Sequence, residues 1–457
     1  MNSGFEFPLR RITASLAPAD LRKAGPGLDL AIAAALLVAS GQLDPAFLTR
    51  YRIAGELALD GSIRGIHGTL AMAEEASRRG AEGIAVPSAN AAEAELIAGL
   101  TVAALDHLEQ LRPLSEGRLE SVESSGCVSA EDDRSESARH DASRALPDLA
   151  DLRGQPLLRR ALEVAAAGGH NLLVVGPPGA GKSLAARRLP SILPPLSTPE
   201  AIEVTRIAGV CGRGPSPGKL AERPFRSPHH TISAAGLVGG GVPPRPGEVT
   251  HAHRGVLFLD ELGEFSRDAL EALRQPLEDG WIRLTRGVHS VELPSRIMLV
   301  AATNPCPCGH GEGSERCGCP TTAVRRYHSR LSGPLADRID VSISIAQPSA
   351  AALAGDEGEA SAVVRDRVVE ARARQIARLG PGRCNAEMSA SESREGELEE
   401  DASRALAGGH AQLGLSGRGY ERVLRIARTV ADLEGGERVR TGHIHEALAF
   451  RSRFGRL

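Results

Sequence analysis

Residues Asn171–Ser183, NLLVVGPPGAGKS, decide the fold of this chain. Leu172 to Val175 form an uninterrupted apolar run of strand length, as in a strand covered on both faces of a parallel sheet. Gly176-Pro177-Pro178-Gly179-Ala180-Gly181-Lys182-Ser183 then fits the G-x-x-x-x-G-K-[ST] pattern without a mismatch. Gly179 and Gly181 let the backbone turn tightly and aim N–H groups at phosphate oxygens. A helix starting near Lys182 adds its positive end, and the lysine adds a mobile charge for the β- and γ-phosphates. The Ser183 hydroxyl supplies a ligand for Mg²⁺. A Gly/Pro-rich surface turn would lack the strand before the loop and the Ala/Leu/Arg-rich helix after it. The stretch predicts a site for a nucleoside triphosphate with Mg²⁺.

Composition bounds what surrounds this loop. At 457 residues, several domains of roughly 150 residues each are expected. The 42% hydrophobic and 24% charged fractions are those of ordinary globular protein. A net charge of −3 excludes a globally basic surface, so a nucleic-acid partner would be met by local loops. With aromatics at 3%, stacking platforms for single-stranded bases are not the main device. Met1–Arg11 has no apolar core, and the apolar run Leu28–Val38 carries Asp29 and is too short for a bilayer. A cytoplasmic protein without a membrane partner is expected.

In chain order, residues 1–112 read as a mixed α/β domain. Phe7–Leu16, Ala54–Leu59 and Ile84–Val86 are its strand candidates; Ala31–Ser40, Leu70–Arg79 and Ala91–Gly99 are its helices. Residues 113–147 are rich in Ser, Glu, Asp and Arg and read as a flexible linker. Residues 148–347 alternate strands with helices, the pattern of a doubly wound nucleotide domain. Its expected strands are Leu172–Val175, Val256–Leu259, Ile297–Ala301 and Val341–Ile345. Residues 348–457 predict a helical lid, with helices at Ala360–Leu379, Glu397–Leu406, Arg418–Leu433 and Thr441–Phe450, and a loose loop at Cys384–Arg394.

Several residues could carry chemistry. Gly255–Glu261, GVLFLDE, is an apolar strand ending in two carboxylates. Asp260 would hold Mg²⁺ through water, and Glu261 would orient and deprotonate the attacking water. Asn304 follows a strand and could position that water; alternatively it makes an Asx turn before Pro305. Arg338, within Ser332–Asp340, could neutralise charge on a transferring phosphoryl group from a neighbouring subunit, or form an ion pair with Asp337 or Asp340. Arg418 opens a lid helix and could reach the same phosphates, or be solvated. Cys306, Cys308, Cys317 and Cys319 pair C-x-C with C-x-C and could close a tetrahedral Zn²⁺ site, with His310 as a substitute ligand. His229, His230, His251 and His253 lie in Gly/Pro-rich loops and read as hydrogen-bonding or phosphate-contacting residues. Trp281–Leu284 and Val288–Leu293 form a hairpin candidate whose tip carries Arg283 and Arg286, either as DNA-contact residues or as solvated ones.

Together GPPGAGKS, LPSILPPL (Leu189–Leu196), RPFRSPHHTIS (Arg223–Ser233), GVLFLDELGEF, AATNPCPCG (Ala301–Gly309), SGPLADRID and LSGRGYERVLRIARTVADLEG (Leu415–Gly435) resemble the ComM/YifB-type magnesium-chelatase-like AAA+ ATPases. The resemblance spans nearly the whole chain. It implies an α/β fold: an AAA+ parallel-sheet core with a C-terminal helical lid, assembled into a ring, expected as a hexamer. It implies Asn304 as sensor 1, Arg338 as an arginine finger acting in trans with Arg330 as its rival, and Arg418 as the sensor 2 arginine. Gly240–Val242 would belong to a helix-2 insert and the Arg286 hairpin to the pore.

The N-terminal domain resembles the Lon-protease fold, with Ala54–Met72 matching its second half. Peptidases of that kind need a serine activated by a lysine. Gly27 and Leu70 stand at those two positions here, so a non-peptidase collar is expected. Family members carry several dozen residues ahead of the position matching Asn2, which predicts an incomplete collar or a late start. The function implied is an ATP-driven DNA translocase for branch migration of recombination intermediates during natural transformation. The alternative is a chelatase-like motor that remodels a protein partner for metal insertion.

Overall fold

The computed structural model describes residues 3–9, 11–16, 26–118, 122–123, 147–211, 220–242, 244–286, 289–311, 314–331, 335–395 and 398–451. The chain divides into two compact units, Met1–Glu136 with Ala201–Glu222, and Ser137–Glu200 with Arg223–Leu457.

The larger unit is built on a five-stranded parallel sheet: β1 (Leu172–Val175), β2 (Phe225–Arg226), β3 (Val256–Leu259), β4 (Met298–Thr303) and β5 (Val341–Ser344). Their order across the sheet is β5-β1-β4-β3-β2. The four apolar runs become the four long strands because predominantly apolar side chains suit positions under helices on both faces. Every residue of β1, β3 and β4 is buried. The edge strand β2 is not foreseen from sequence; it is two residues long and sits between prolines, too short for a periodicity to register.

Register then aligns the strand ends. Val175 pairs with Thr303, and Leu259 pairs with Ala301. Because the strands run parallel, the loop after β1, Asp260 after β3 and Asn304 after β4 all emerge on one edge. This carboxyl edge is where open α/β sheets bind ligands.

Helix α1 (Pro156–Gly168) starts on a proline and ends on Gly169 in the left-handed region; α2 (Lys182–Ile192) follows the glycine loop. Four further helices, α3 (Ser361–Leu379), α4 (Glu400–Leu413), α5 (Gly417–Leu433) and α6 (Thr441–Ala449), follow β5. They share a core with one face of the sheet: Val364, Val368, Val423, Ile426 and Ile444 pack in the cluster that holds Leu172 and Val174. The loop expected at Cys384–Arg394 is instead anchored, with a short helix at Ala390–Glu395. The buried Asn385 amide donates to Gln375, and its side chain donates to Thr429 and to the fully buried Asp432, which also receives Arg378 and Arg428. A buried amide and carboxylate must find such partners, and those partners fix the segment.

The smaller unit has a four-stranded sheet, Tyr51–Ile53, Gly83–Pro87, Thr101–Leu105 and Val122–Glu123, the last pair antiparallel. Val122–Glu123 lie inside the expected linker, most of which falls outside the described residues. The strand expected over Phe7–Leu16 is absent from its described residues, where Phe7 and Leu9 are exposed; with no partner strand beside them, local apolar content does not make a strand. Ala54–Leu59 shortens to Glu56–Leu57, paired with Ile63–Arg64. Helices form at Asp29–Ala39, Thr69–Arg78 and Ser88–Ala94. From Ala201 onward the helix Thr198–Val210 belongs to this unit, with Arg206 bonded to Glu74 at 2.6 Å.

Candidate active site

The phosphate loop closes as its glycines require. Gly179 and Gly181 have φ of +77° and +92°, and Gly181 caps the start of α2. Lys182 is almost wholly buried, and its Nζ donates to the carbonyls of Gly176 (2.5 Å) and Pro177 (2.9 Å) and to Asn304 Oδ1 (3.0 Å). Burial pulls the lysine pKa down, while Asp260 and Glu261 oppose the shift. Ser183 Oγ donates to Asp260 Oδ2 at 2.5 Å. A hydroxyl and a carboxylate facing each other at the end of a phosphate loop are the donor set that Mg²⁺ takes with a bound triphosphate, so the residues fit both groups.

Glu261 sits beside this pair. Its φ of +51° is unusual for a residue with a side chain, and its amide donates to Asp260 Oδ1 at 2.9 Å. Glu261 Oε2 lies 3.4 Å from Nδ1 of His230, whose ring is tilted against that of His229 and packs edge-on to Phe265. From sequence the two histidines read as hydrogen-bonding or phosphate-contacting loop residues, and the structure places His230 against the Glu261 carboxylate. His253 is buried, and its Nδ1 accepts the Arg296 amide at 3.1 Å.

Arg338 and Arg418 meet on a residue that no sequence motif singles out. Arg338 forms an ion pair with Glu278, and Arg418 Nη1 lies 3.9 Å from the same Glu278 Oε1. Glu278 lies 60 residues away in the chain, whereas proximity in sequence offered Asp337 or Asp340. Burial depresses the Arg338 pKa, and the nearby guanidinium groups of Arg418 and Arg274 add to this. The Arg330 side chain lies outside the described residues.

Asp340 is buried behind this arginine. Burial alone would raise its pKa; the His170 ring, its Nδ1 3.5 Å from Asp340 Oδ2, the guanidinium of Arg422 and the amide of Asn171 outweigh this and hold it below the usual range. Asn171 ties the region together. Its side chain donates to Arg338 O (2.8 Å) and accepts from the Leu299 amide (2.8 Å), and its own amide donates to Asp340 (3.2 Å).

The four cysteines after Asn304 form one group, with ligand atoms all within 4.8 Å of one another. His310 is not part of that group.

Comparison with known proteins accounts for this combination. The profile of the magnesium chelatase ChlI subunit matches residues 148–353, that of its C-terminal region matches 358–451, and a further ChlI profile matches 1–90. The uncharacterized protein YifB of Salmonella typhimurium is 43% identical over 457 residues, 99% of this chain and 87% of that protein. The competence protein ComM of Haemophilus influenzae is 40% identical over 455 residues, with the same coverage. The chain belongs to the ComM/YifB family of magnesium-chelatase-like AAA+ proteins. Lon protease 2 of Bacillus subtilis is 32% identical over 180 residues, 34% of this chain.

The expected hairpin is present, with strands Trp281–Arg286 and His289–Pro294 in register Arg286↔His289 and Arg283↔Glu292. Arg283 thus lies three residues below the tip, where it bonds Glu292 at 2.6 Å and lies over the Trp281 ring at 5.0 Å. This corrects its expected place at the tip. The Arg286 side chain lies outside the described residues. Gly239–Gly240 pairs antiparallel with Arg245–Pro246, and Val242 is 79% exposed. In the smaller unit Leu70 is fully buried, and Gly27 offers no side chain. No helix among the described residues is long and apolar enough to cross a membrane.

Proposed function

We propose that this chain is an ATP-hydrolysing motor that works on DNA in the cytoplasm, promoting branch migration of recombination intermediates as in natural transformation. The observation that carries the reading is the convergence of Lys182, Ser183, Asp260, Glu261 and Asn304 on one sheet edge. Lys182 and the loop amides would bind the β- and γ-phosphates. Mg²⁺ held by Ser183 and, through water, by Asp260 would neutralise their charge. Glu261 would take the proton of the attacking water while Asn304 orients it. Arg338 would be delivered to the γ-phosphate of the neighbouring subunit in a ring, with a hexamer the expected assembly, and Arg418, beside the same Glu278, would serve as the sensor 2 arginine. The Arg286 hairpin, with Arg283 behind it, would contact DNA in the pore. The four cysteines would hold a structural Zn²⁺. The DNA assignment draws on the relative named a competence protein.

The test is wild type beside Lys182→Ala in ATPase and three-strand branch-migration assays. DNA-stimulated turnover and strand displacement by wild type alone are expected; equal activity in the two would overturn the mechanism. The chelatase-subunit profiles favour a second reading, a motor that remodels a protein for metal insertion. ATP turnover indifferent to DNA, with co-purification of a large porphyrin-binding partner, would favour it.

A further inference from the structure

The cysteine group does more than sit near the nucleotide loop. A zinc ion with sulfur at about 2.3 Å in tetrahedral geometry sets its sulfurs about 3.8 Å apart. Here Cys306 and Cys317 are 3.8 Å apart, Cys308 and Cys317 3.7 Å, and Cys306 and Cys308 3.3 Å. The Gly311 amide donates to Cys306 Sγ at 3.2 Å, which holds that sulfur in place. The sulfurs are preset for one ion with little movement.

The turn that carries two of them is packed against the phosphate loop. Gly309 closes the Cys306–Gly309 turn by donating to Cys306 O at 2.9 Å, with φ of +87°. A methyl group on Gly309 would fall 2.7 Å from Cδ and 2.9 Å from Cγ of Pro178, and 3.9 Å from Cγ of Asn304. No side chain fits between this turn and the loop. On the other side, His328 Nε2 bonds Pro305 O at 2.8 Å, and Cys306 is fully buried. Asn304, Pro305 and Cys306 are consecutive, so whatever holds Cys306 also sets where the Asn304 amide points.

From this contact we infer that the four-cysteine site is a metal-dependent prop for the nucleotide site. Bound zinc fixes the Cys306–Gly309 turn, and the turn holds Pro178 and Asn304 in the positions that triphosphate binding and hydrolysis need. The cysteines and Gly309 are positioning residues; none touches the reacting atoms. The inference rests on the ATPase and zinc readings above and goes beyond both, because it couples them. Coupling is reciprocal: if zinc orders the loop, nucleotide must in turn tighten the hold on zinc.

The experiment uses the full chain. Metal analysis of the purified protein is expected to give about one zinc per chain, and cobalt exchanged into the site should show thiolate-to-metal absorption. Zinc release to a zinc-selective chelator that does not bind Mg²⁺ is then timed in excess Mg²⁺, with and without a non-hydrolysable ATP analogue. We expect the analogue to slow release by roughly fivefold or more in wild type, the low end of ordinary coupling between sites. Gly309→Ala should keep its zinc and lose this protection. Cys308→Ser and Cys319→Ser, at the less buried ligands, should lose zinc and cut ATP turnover by about 10- to 100-fold, as loss of groups that orient a site does. Removing zinc from wild type and restoring it should remove and restore turnover without changing the sequence, which separates coupling from misfolding.

Absence of any thiolate-bound metal would overturn the site. Zinc whose release ignores the analogue, together with full turnover after its removal, would overturn the coupling while leaving the zinc reading intact. An analogue that binds and protects zinc in a chain without ATPase activity would sink the hydrolysis reading and leave the coupling standing.

Discussion

Nζ of Lys182 lies 3.0 Å from Oδ1 of Asn304, across 122 residues of chain. Two parallel strands hold the pair, since Val175 stands in register with Thr303 and the loop and the amide leave the sheet side by side. The lysine proposed to grip a triphosphate and the amide proposed to face its terminal phosphate are thus joined by a hydrogen bond.

That bond predicts a division of labour. Lys182→Ala removes a buried cation whose partners are loop carbonyls and should abolish ATP binding. Asn304→Ala should leave binding within a few-fold and reduce turnover by about 100-fold or more, the range for losing one group aimed at a transition state. Nucleotide-binding titrations beside steady-state ATPase rates separate the two; comparable loss of affinity in both variants would refute the division.

Glu261 is expected to act on the water rather than the metal. Glu261→Gln should bind ATP normally and lose about 10²- to 10⁴-fold in turnover, the contribution typical of a general base. His230→Ala, which removes the ring 3.4 Å from that carboxylate, should lose less turnover and keep ATP affinity. Wild-type turnover in Glu261→Gln would remove Glu261 from the mechanism.

The shared carboxylate of Glu278 makes the two arginines a unit. Arg338→Ala should lower turnover by about 10³-fold, the low end of what arginine fingers contribute. Arg418→Ala should fall in the same assay. Mixing Arg338→Ala with Lys182→Ala subunits should restore activity, because each subunit then supplies what its neighbour lacks. A mixture no more active than its parts would place the arginine in its own subunit's site.

Asp340 predicts a pH dependence of stability. Its folded pKa is depressed, so its contribution is fully present above the ordinary carboxylate range near about 3.9 and is lost as pH falls through the lower folded value. Thermal unfolding should show melting temperature falling as pH drops below about 4. Asp340→Asn should flatten that dependence and cost about 3–5 kcal/mol near neutral pH, because Arg422 and His170 are left beside a neutral partner. An unchanged acid profile in the variant would refute this.

The phosphate-loop edge of the sheet is legible in the chain residue by residue, and its surroundings are not. The four long apolar strands, the glycine loop and the Asp260-Glu261 strand end are legible, because each is written in consecutive residues. Glu278 is not, because nothing near it in sequence marks it; it acquires meaning only when Arg338, 60 residues away, folds against it. Likewise the Cys384–Arg394 stretch is poor in large apolar residues, and only the buried Asp432 and Asn385 reveal why it is held.

By itself, then, the sequence determined that a triphosphate loop follows a buried strand, that two carboxylates end another, and that four thiols lie close after Asn304. These are short-range facts, settled by backbone freedom at glycine and by apolar runs that must be covered. Tertiary structure alone decided that Asp260 meets Ser183, that Arg338 and Arg418 share Glu278, and that the Cys306–Gly309 turn leans on Pro178. Those contacts depend on strand register and helix packing, in which a shift of a single residue would carry each side chain away from its partner.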